Sequence, residues 1–389
     1  MAKGPICRAT GSIWGCWSMA YCAFCVLGTP CRLPASIPAE TARTAPRHSA
    51  SGKRMRFMRR RGLRCPDQPH DTAPMTQKLL EVTLSRVWQQ TEEIRTFELS
   101  PTEGALPSFE AGAHIDIYTD VGPRPYSLCH LHVVDGPYVV GIKREPDGRG
   151  ASRWLHDTCR VGHRLQIGPP RNNFRLAPQA AHHCLMAGGI GITPVLAMAK
   201  ALWQRGSSFE LVCFFRGRSH APFLEEMRTA PWNQRVRFHF DDSPAHQVHL
   251  DDLCAAQPVG THFYACGPAG FMAAVRQATR LRPPEQVHQE SFSALPAAEK
   301  SGRTTFTVEL ARSGKTVLVE HGESLLQALR RAGHPPITSC EMGVCGSCVT
   351  RYLSGTPVHA DAFLSADERL RELAICCAGS LSERLVLDL

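Results

Sequence analysis

The chain has 389 residues, of which 43% are hydrophobic and 20% charged, a composition typical of globular protein with room for roughly two to four domains. The formal net charge of +9 is confined to residues 1–74, which hold twelve Lys and Arg against three Asp and Glu. The neutral remainder gives no indication of a nucleic-acid partner, and no apolar run is long enough to cross a membrane.

Residues 1–74 form a basic extension whose later part is rich in Pro, Ala, Ser and Arg, a composition that predicts disorder. A weakly apolar stretch at 12–28 follows Lys3 and Arg8 in the manner of a secretory signal, but polar residues interrupt it. Met75 directly precedes the first β-like run. We therefore expect translation to begin at Met75, with the extension disordered or not translated.

Residues 75–176 alternate short β-like runs with Gly and Pro turns, which predicts a small β-barrel. The predicted strands are Leu79–Val87, Ile94–Leu99, His114–Tyr118, Tyr126–Leu131, Tyr138–Arg144 and Arg164–Ile167.

Two stretches of the predicted barrel carry residues suited to binding a planar, phosphorylated ligand. Arg124-Pro125-Tyr126-Ser127-Leu128 combines a cation, an aromatic ring and a hydroxyl, and strand alternation predicts opposite faces for Tyr126 and Ser127. The basic, Gly-rich turn at 143–152 leads into a short helix, an arrangement that can bind an anion. Each motif is also common on ordinary protein surfaces.

Residues 177–292 alternate strands with helices, which predicts an open, doubly wound α/β domain. Gly188-Gly189-Ile190-Gly191-Ile192-Thr193-Pro194 follows a buried strand and opens a helix, so its backbone N–H groups could bind a pyrophosphate. Arg216 and Arg218 follow the next predicted strand, where arginine suits the 2′-phosphate of NADPH; both could equally be solvated loop charges. Cys266, before Gly267-Pro268, could touch a nicotinamide or simply pack in the core.

A linker rich in Ala, Ser and Pro is predicted at 293–303, and residues 304–389 contain a hairpin, a helix opened by Ser324 and a cysteine-rich loop. Cys340, Cys345 and Cys348 have C-x4-C-x2-C spacing, and Cys376 follows 28 positions later. This is the ligand pattern of a plant-type [2Fe-2S] cluster, whereas structural zinc sites favour two paired C-x2-C knuckles. Strand alternation allows only one of Cys376 and Cys377 to be a ligand without saying which.

The order of the three predicted modules constrains their function. A nicotinamide donates a pair of electrons as hydride, while an iron–sulfur cluster accepts one electron at a time. A flavin, which handles one or two electrons, is the usual converter, and we expect it in the barrel. The sequence shows no nucleophile with a neighbouring base that would suggest hydrolysis.

These motifs, together with Glu290-Ser291-Phe292 and the ending Leu385-Val386-Leu387-Asp388-Leu389, resemble the phthalate dioxygenase reductase family from about Met75 onward. The resemblance implies a flavin-binding β-barrel, a ferredoxin reductase-like α/β nucleotide domain and a C-terminal β-grasp ferredoxin domain. It further implies FMN, with FAD as the less favoured alternative, NADH or NADPH, and a [2Fe-2S] cluster held by Cys340, Cys345, Cys348 and Cys376.

The resemblance also implies roles for individual residues. Ser127, Thr193, Cys266 and Phe292 would lie at the reacting rings. The remaining predicted cofactor-binding residues are Arg124, Tyr126, Lys143, Arg144, Gly150, Ser152, Gly188, Gly189, Gly191, Arg216, Arg218 and Gly267.

The function implied by the resemblance is that of a reductase that passes electrons from NAD(P)H to a separate Rieske-type oxygenase or O-demethylase. We further expect a monomer and, because the scattered cysteines suit a reducing compartment, a cytoplasmic location. Two other readings fit the same motifs. A stand-alone diaphorase or ferric reductase would use the same sites without an oxygenase. A cluster-based redox sensor would need no hydride donor, so the nucleotide motif argues against it.

Overall fold

The computed structural model describes residues 78–292 and 305–389, which belong to one compact unit of the chain. The predicted extension 1–74 and linker 293–303 lie outside these residues. Three main sheets follow one another along the chain. No helix within the described ranges is both long and apolar enough to cross a bilayer.

The first sheet has six antiparallel strands in the order β4-β3-β6-β1-β2-β5. Its ends approach each other through an antiparallel bridge between Leu128 and Val140, so the sheet closes into a barrel around an aliphatic core. The elements are β1 Leu80–Gln89, β2 Ile94–Pro101, β3 His114–Thr119, β4 Gly122–Ser127, β5 Tyr138–Lys143, α1 Ala151–Asp157 and β6 Arg164–Ile167.

The fourth strand differs from its predicted position. The sequence predicts Tyr126–Leu131, whereas β4 spans Gly122–Ser127. The strand accommodates Pro123 and Pro125 because β4 lies at the edge of the hydrogen-bonded order, where a missing N–H is tolerated.

The second sheet has five parallel strands in the order β11-β10-β7-β8-β9, with helices packed on both faces. The order reverses between β7 and β10, and the carboxyl ends of strands at such a switch point form a ligand crevice. The elements are β7 His182–Gly188, α2 Ile192–Gln204, β8 Phe209–Phe215, α3 Leu224–Thr229, β9 Val236–Phe240, α4 Leu250–Ala255, β10 Thr261–Gly267, α5 Ala269–Ala278 and β11 Val287–Ser291.

The third sheet is a mixed one of order β13-β12-β18-β14-β16, in which β12 and β18 run parallel. Helix α6 packs on it and begins with a capping box, in which the Gln327 N–H donates to Ser324 Oγ and the Ser324 N–H donates to Gln327 Oε1. The elements are β12 Phe306–Leu310, β13 Lys315–Val319, α6 Leu325–Arg331, β14 Val349–Ser354, β15 Pro357–Val358, α7 Ala366–Arg369, β16 Glu372–Ala374, β17 Gly379–Ser380 and β18 Arg384–Leu387.

The barrel and the parallel sheet share one hydrophobic core. Cys129, Val139 and Phe174 from the barrel side pack in the same buried cluster as the apolar face of helix α2. Phe174 also lies 5.9 Å from the ring of Tyr264 on β10. Because this contact is apolar and buried, we infer that the two modules unfold together.

Replacing Phe174 by Ala tests this shared core. Removal of a fully buried aromatic ring typically costs about 3–5 kcal/mol, and we expect the barrel and the parallel sheet to lose stability together. Denaturant unfolding followed by tryptophan fluorescence and by far-UV circular dichroism would show one coincident transition at lower denaturant concentration. Phe306→Ala, at a buried position in the third sheet, is the matched control and should leave that transition in place. Separate barrel and parallel-sheet transitions in Phe174→Ala would contradict the shared core.

Candidate functional site

A cavity of about 980 Å³ is lined by residues from all three modules. It opens at the carboxyl ends of β7 and β10, where the strand order reverses. Its volume is at the upper end of the range of ligand pockets, about 300–1,000 Å³. The predicted flavin and nucleotide residues on its wall are Arg124, Tyr126, Ser127, Lys143, Ser152, Gly188, Gly189, Thr193, Arg216, Gly267 and Phe292, and the predicted cluster ligand Cys345 lies there too.

Strand β4 supplies the barrel side of this wall. Tyr126 and Ser127 both line the cavity, although strand alternation predicted opposite faces for them. Ser127 is the last residue of β4, so the alternation need not continue through it. Burial raises the pKa of the Tyr126 phenol, with Arg124 acting in the opposite direction. The phenol is therefore neutral at physiological pH.

Only some of the residues predicted to bind a ligand in the basic turn after β5 line the cavity. Lys143 and Ser152 line the cavity. Gly150 is not among the lining residues and caps helix α1 with φ 100°, in the left-handed region that favours glycine. Arg144 does not line the cavity either and forms a two-pronged ion pair with Asp157, with N···O distances of 2.8 and 3.0 Å.

Glu290, at the end of β11, is a cavity residue to which the sequence assigned no role. The Ser127 hydroxyl donates to Glu290 Oε2 across 3.3 Å. Burial raises the pKa of Glu290 to about 8, and the hydrogen bond from Ser127 opposes that rise. The carboxyl group therefore carries a proton at neutral pH. Phe292, two residues later, is 37% exposed and lies on the cavity wall.

The glycine-rich loop after β7 contributes to the cavity wall and also packs against β10. Gly188 and Gly189 line the cavity. A Cβ on Gly191 would lie 2.2 Å from the carbonyl oxygen of Cys266, so Gly191 permits close packing of the loop on β10. The Cys266 side chain is fully buried and does not reach the cavity wall, and burial raises the pKa of its thiol well above the usual value.

Charged residues that follow the strands of the parallel sheet bear on the choice between NADH and NADPH. Arg216 lines the cavity, whereas the guanidinium of Arg218 lies 5.6 Å from the ring centre of Phe240 and is not part of the wall. Asp241, which the sequence reasoning missed, also lines the cavity. It follows β9, and its N–H donates to the carbonyl of Phe215 beside Arg216. An acidic group and a basic group therefore share this edge of the sheet.

The cysteine loop wraps around its own sulfur atoms. Its backbone takes positive φ angles at Glu341, Gly343 and Gly346, so several N–H groups turn inward. The donors and acceptors are Cys340 N–H to Cys345 Sγ at 3.4 Å, Met342 N–H to Cys340 Sγ at 3.3 Å, Gly343 N–H to Cys376 Sγ at 3.2 Å and Cys376 N–H to Cys348 Sγ at 3.5 Å. Such bonds stabilise thiolates and tune the potential of a cluster.

The four predicted ligands fit a two-iron cluster. The thiols of Cys340 and Cys345 contact each other, as do those of Cys348 and Cys376, and Cys340 also contacts Cys376. Within the described ranges, no three His, Cys, Asp or Glu side chains surround a point suited to one metal ion. Two thiol pairs are the donor set that [2Fe-2S] requires, since each iron takes two protein ligands.

The assumption that Cys376 and Cys377 lie in a β-strand is wrong. Both residues lie in a turn after β16, where the N–H groups of Cys377 and Ala378 donate to the carbonyl of Ala374. Their side chains are not sent to opposite faces, and their thiols contact each other. Cys376 alone accepts the Gly343 N–H, which agrees with the ligand that the family resemblance implies.

The cluster loop docks against the barrel through buried polar side chains. Among these, Asp116 and His114 project from β3, and Arg171 follows β6. His114 lines the cavity together with Cys345 of the loop. The sequence gave no signal for these contacts because they join residues more than 170 positions apart.

Comparison with known proteins agrees with this architecture. A family of 2Fe-2S iron-sulfur cluster binding domains matches residues 308–379. Phenoxybenzoate dioxygenase subunit beta of Ectopseudomonas oleovorans is 40% identical over 77% of this chain and 93% of its own length. Vanillate O-demethylase oxidoreductase of Pseudomonas sp. (strain HR199 / DSM 7063) is 37% identical over 80% of this chain and 100% of its own length.

A solved structure extends the likeness to three dimensions. Phthalate dioxygenase reductase, described as a modular structure for electron transfer from pyridine nucleotides to [2Fe-2S], superposes with a TM-score of 0.59 at 35% identity. The match covers 80% of this chain and 98% of the other. Together with the sequence relatives it confirms the predicted fold class: the chain belongs to the phthalate dioxygenase reductase family.

Proposed function

We propose that the protein is the reductase component of an oxygenase or O-demethylase system, passing electrons from NAD(P)H through a flavin to a [2Fe-2S] cluster and on to a separate oxygenase. The observation that carries this proposal is the cavity that Tyr126, Gly188 and Cys345 share. A flavin in that cavity would lie between a nucleotide loop and a cluster ligand. The comparisons with oxygenase and demethylase reductases support the same function.

The flavin supplies the conversion between hydride and single electrons when it is bound. Arg124, Tyr126 and Ser127 are suited to hold its ring system, and Lys143, Arg149 and Ser152, which all line the cavity, are suited to a terminal phosphate. A cationic turn that ends in a helix favours FMN, whose phosphate is free, over FAD. On this basis we propose FMN as the flavin.

The residues around the proposed flavin ring have different roles. Thr193 packs between the barrel and the nucleotide loop, since a Cβ on Gly141 would lie 2.7 Å from its Cγ2. Phe292 lies on the cavity wall, and its half-exposed ring would be suited to contact the flavin or the nicotinamide. The protonated Glu290 is neutral and accepts the hydrogen bond from the Ser127 hydroxyl, so it leaves this corner of the site uncharged.

NADH is the proposed donor. Asp241 offers a carboxylate at the sheet edge where an adenosine ribose would lie, which favours a 2′-hydroxyl and repels a 2′-phosphate. Arg216 lies beside it and would reduce that repulsion. The predicted involvement of Arg218 is not part of the proposal, because its guanidinium lies over Phe240.

The acceptor we propose is a Rieske-type oxygenase that acts on an aromatic acid, which follows the family resemblance. A monomeric state and a cytoplasmic location remain predictions of the sequence. The residues of the reductase do not identify the aromatic substrate of the oxygenase, because the reductase does not need to contact that substrate.

Anaerobic reduction tests the proposed electron route. Adding NADH to the purified protein should bleach the flavin absorbance and then produce the EPR signal of a reduced [2Fe-2S] cluster, in that order. Extraction of the flavin and mass spectrometry should give FMN. A cluster that is reduced by dithionite but not by NADH would contradict the proposal and would favour the redox-sensor alternative.

Nucleotide preference should depend on the two charged residues at the sheet edge. We expect Asp241→Asn to lower the KM for NADPH by about tenfold, since one charge repulsion of about 1.4 kcal/mol is removed. The KM for NADH should rise, since the acceptor for the 2′-hydroxyl is weakened. Arg216→Ala should raise the KM for NADPH more than that for NADH. Steady-state reduction of a dye with each nucleotide measures both ratios, and equal ratios in all three proteins would contradict the assignment.

Glu290 should give the folded protein a distinctive pH dependence. Its pKa is about 8 in the folded state and about 4.3 in an unfolded chain, so between these values the folded state binds a proton that the unfolded state lacks. Its contribution to the free energy of unfolding therefore falls as pH rises through this window and is level above it.

Thermal unfolding of native protein and Glu290→Gln across this pH range measures that contribution as a difference. We expect the stability of the variant relative to native protein to rise with pH and then level off near pH 8. Ser127→Ala removes the hydrogen bond that lowers the pKa of Glu290. In that variant, the pH range over which Glu290 affects the free energy of unfolding should extend to higher pH. Parallel curves for native protein and Glu290→Gln would show that Glu290 does not titrate in this way.

A further inference from the structure

We propose that His114, Asp116 and Arg171 of the barrel form a docking site for the chain's own cluster loop, and that this site sets the rate of electron transfer from flavin to cluster. The proposal rests on the proposed function and adds positioning residues to it. None of the three belongs to the predicted flavin, nucleotide or cluster ligands.

Asp116 is the centre of this docking site. Its side chain is 2% exposed, and it pairs with Arg171 Nη2 at 2.6 Å. The same carboxylate accepts hydrogen bonds from the hydroxyls of Ser339 and Ser347, on either side of the first two cluster cysteines. Undocking the loop would leave Asp116 with Arg171 on Oδ2 but would remove both hydroxyls, including the Ser339 hydroxyl that donates to Oδ1.

Arg171 and His114 hold the loop by its backbone. Arg171 donates to Ser347 Oγ at 2.9 Å and to the Cys345 carbonyl at 3.4 Å. His114 Nε2 lies 3.1 Å from the same carbonyl. Because a carbonyl can only accept, Nε2 carries the hydrogen. An antiparallel bridge between residues 114 and 171 holds the two side chains next to each other.

The loop is shaped to fit this surface. A Cβ on Gly346 would lie 2.8 Å from the Asn173 side chain of the barrel, so the loop approaches closely because residue 346 is glycine. The Arg124 guanidinium donates to the Ser339 carbonyl at 3.3 Å, and that of Arg149 donates to the Cys340 carbonyl. Polar contacts thus reach both residues of the first thiol pair.

The docked loop presents Cys345 of that thiol pair to the flavin cavity. Met342, Val344 and Cys345 line the cavity wall together with His114. A loop held by buried hydrogen bonds on both sides of the ligands has little freedom to change its distance from the flavin. Small displacements of a positioned group can change a rate by orders of magnitude, so the docking contacts govern this step.

Asp116→Asn tests the docking site in the intact holoprotein. We expect NADH to bleach the flavin at the native rate and the fully reduced cluster to give its native EPR signal. The subsequent transfer from flavin to cluster, followed by anaerobic stopped-flow absorbance, should slow by about tenfold or more. The matched control is Asp388→Asn, which breaks the exposed Arg312–Asp388 pair of the third sheet and should leave the transfer rate native.

A reductive titration distinguishes a change in the position of the cluster from a change in the reduction potentials of flavin and cluster. If the distribution of electrons between flavin and cluster stays native while the rate falls, the substitution has changed geometry and not the potentials. A shifted distribution that accounts for the whole rate change would overturn the positioning role.

A second variant covers the case in which Asp116→Asn fails to fold. Ser339→Ala with Ser347→Ala removes both loop hydroxyls and leaves the Asp116–Arg171 pair intact, and it should also slow the transfer. A native transfer rate in a folded docking variant would overturn the proposal. Failure of native protein to bleach with NADH would instead overturn the proposed function on which it rests.

Discussion

The close approach of strand β5 to the first turn of helix α2 is the constraint on which the rest of the site depends. Gly141 faces Thr193 at a distance that leaves no room for a side chain. This contact joins the barrel to the nucleotide loop, and the core shared with Phe174 holds the two modules in that relation. The cavity between them has a defined width because neither side can shift independently.

The cluster loop completes the site by a different kind of contact. The barrel and the parallel sheet meet through apolar packing, whereas the loop meets the barrel through a buried carboxylate, a guanidinium and an imidazole. Burial lowers the pKa of His114 to about 4, so this side chain acts as a neutral donor. Apolar packing tolerates small sliding, but a network of directed hydrogen bonds accepts one arrangement. The most exacting geometry is therefore at the junction that single electrons cross.

The sequence was most informative where function depends on local spacing. Cys340, Cys345 and Cys348 can be recognised because one loop must present three sulfur atoms, and the glycine-rich loop from Gly188 because a phosphate-binding turn is contiguous. It failed where contacts join distant segments. Asp116 reads as an ordinary strand residue, since nothing near it indicates a partner 223 positions away. Asp241 was missed because its position beside Arg216 follows from the pairing of β8 with β9, and Arg144 was assigned to the ligand because its pairing with Asp157 cannot be read from a motif.

The fourth predicted ligand differs from the other three in exposure, and this difference has a chemical consequence. Cys340, Cys345 and Cys348 are buried, while Cys376 and its neighbour Cys377 are only partly buried. Oxidants attack sulfur according to its thiolate character and accessibility. Damage by oxygen or peroxide should therefore begin at the Cys376 end, leaving the flavin-facing half of the cluster site as the last part to be lost.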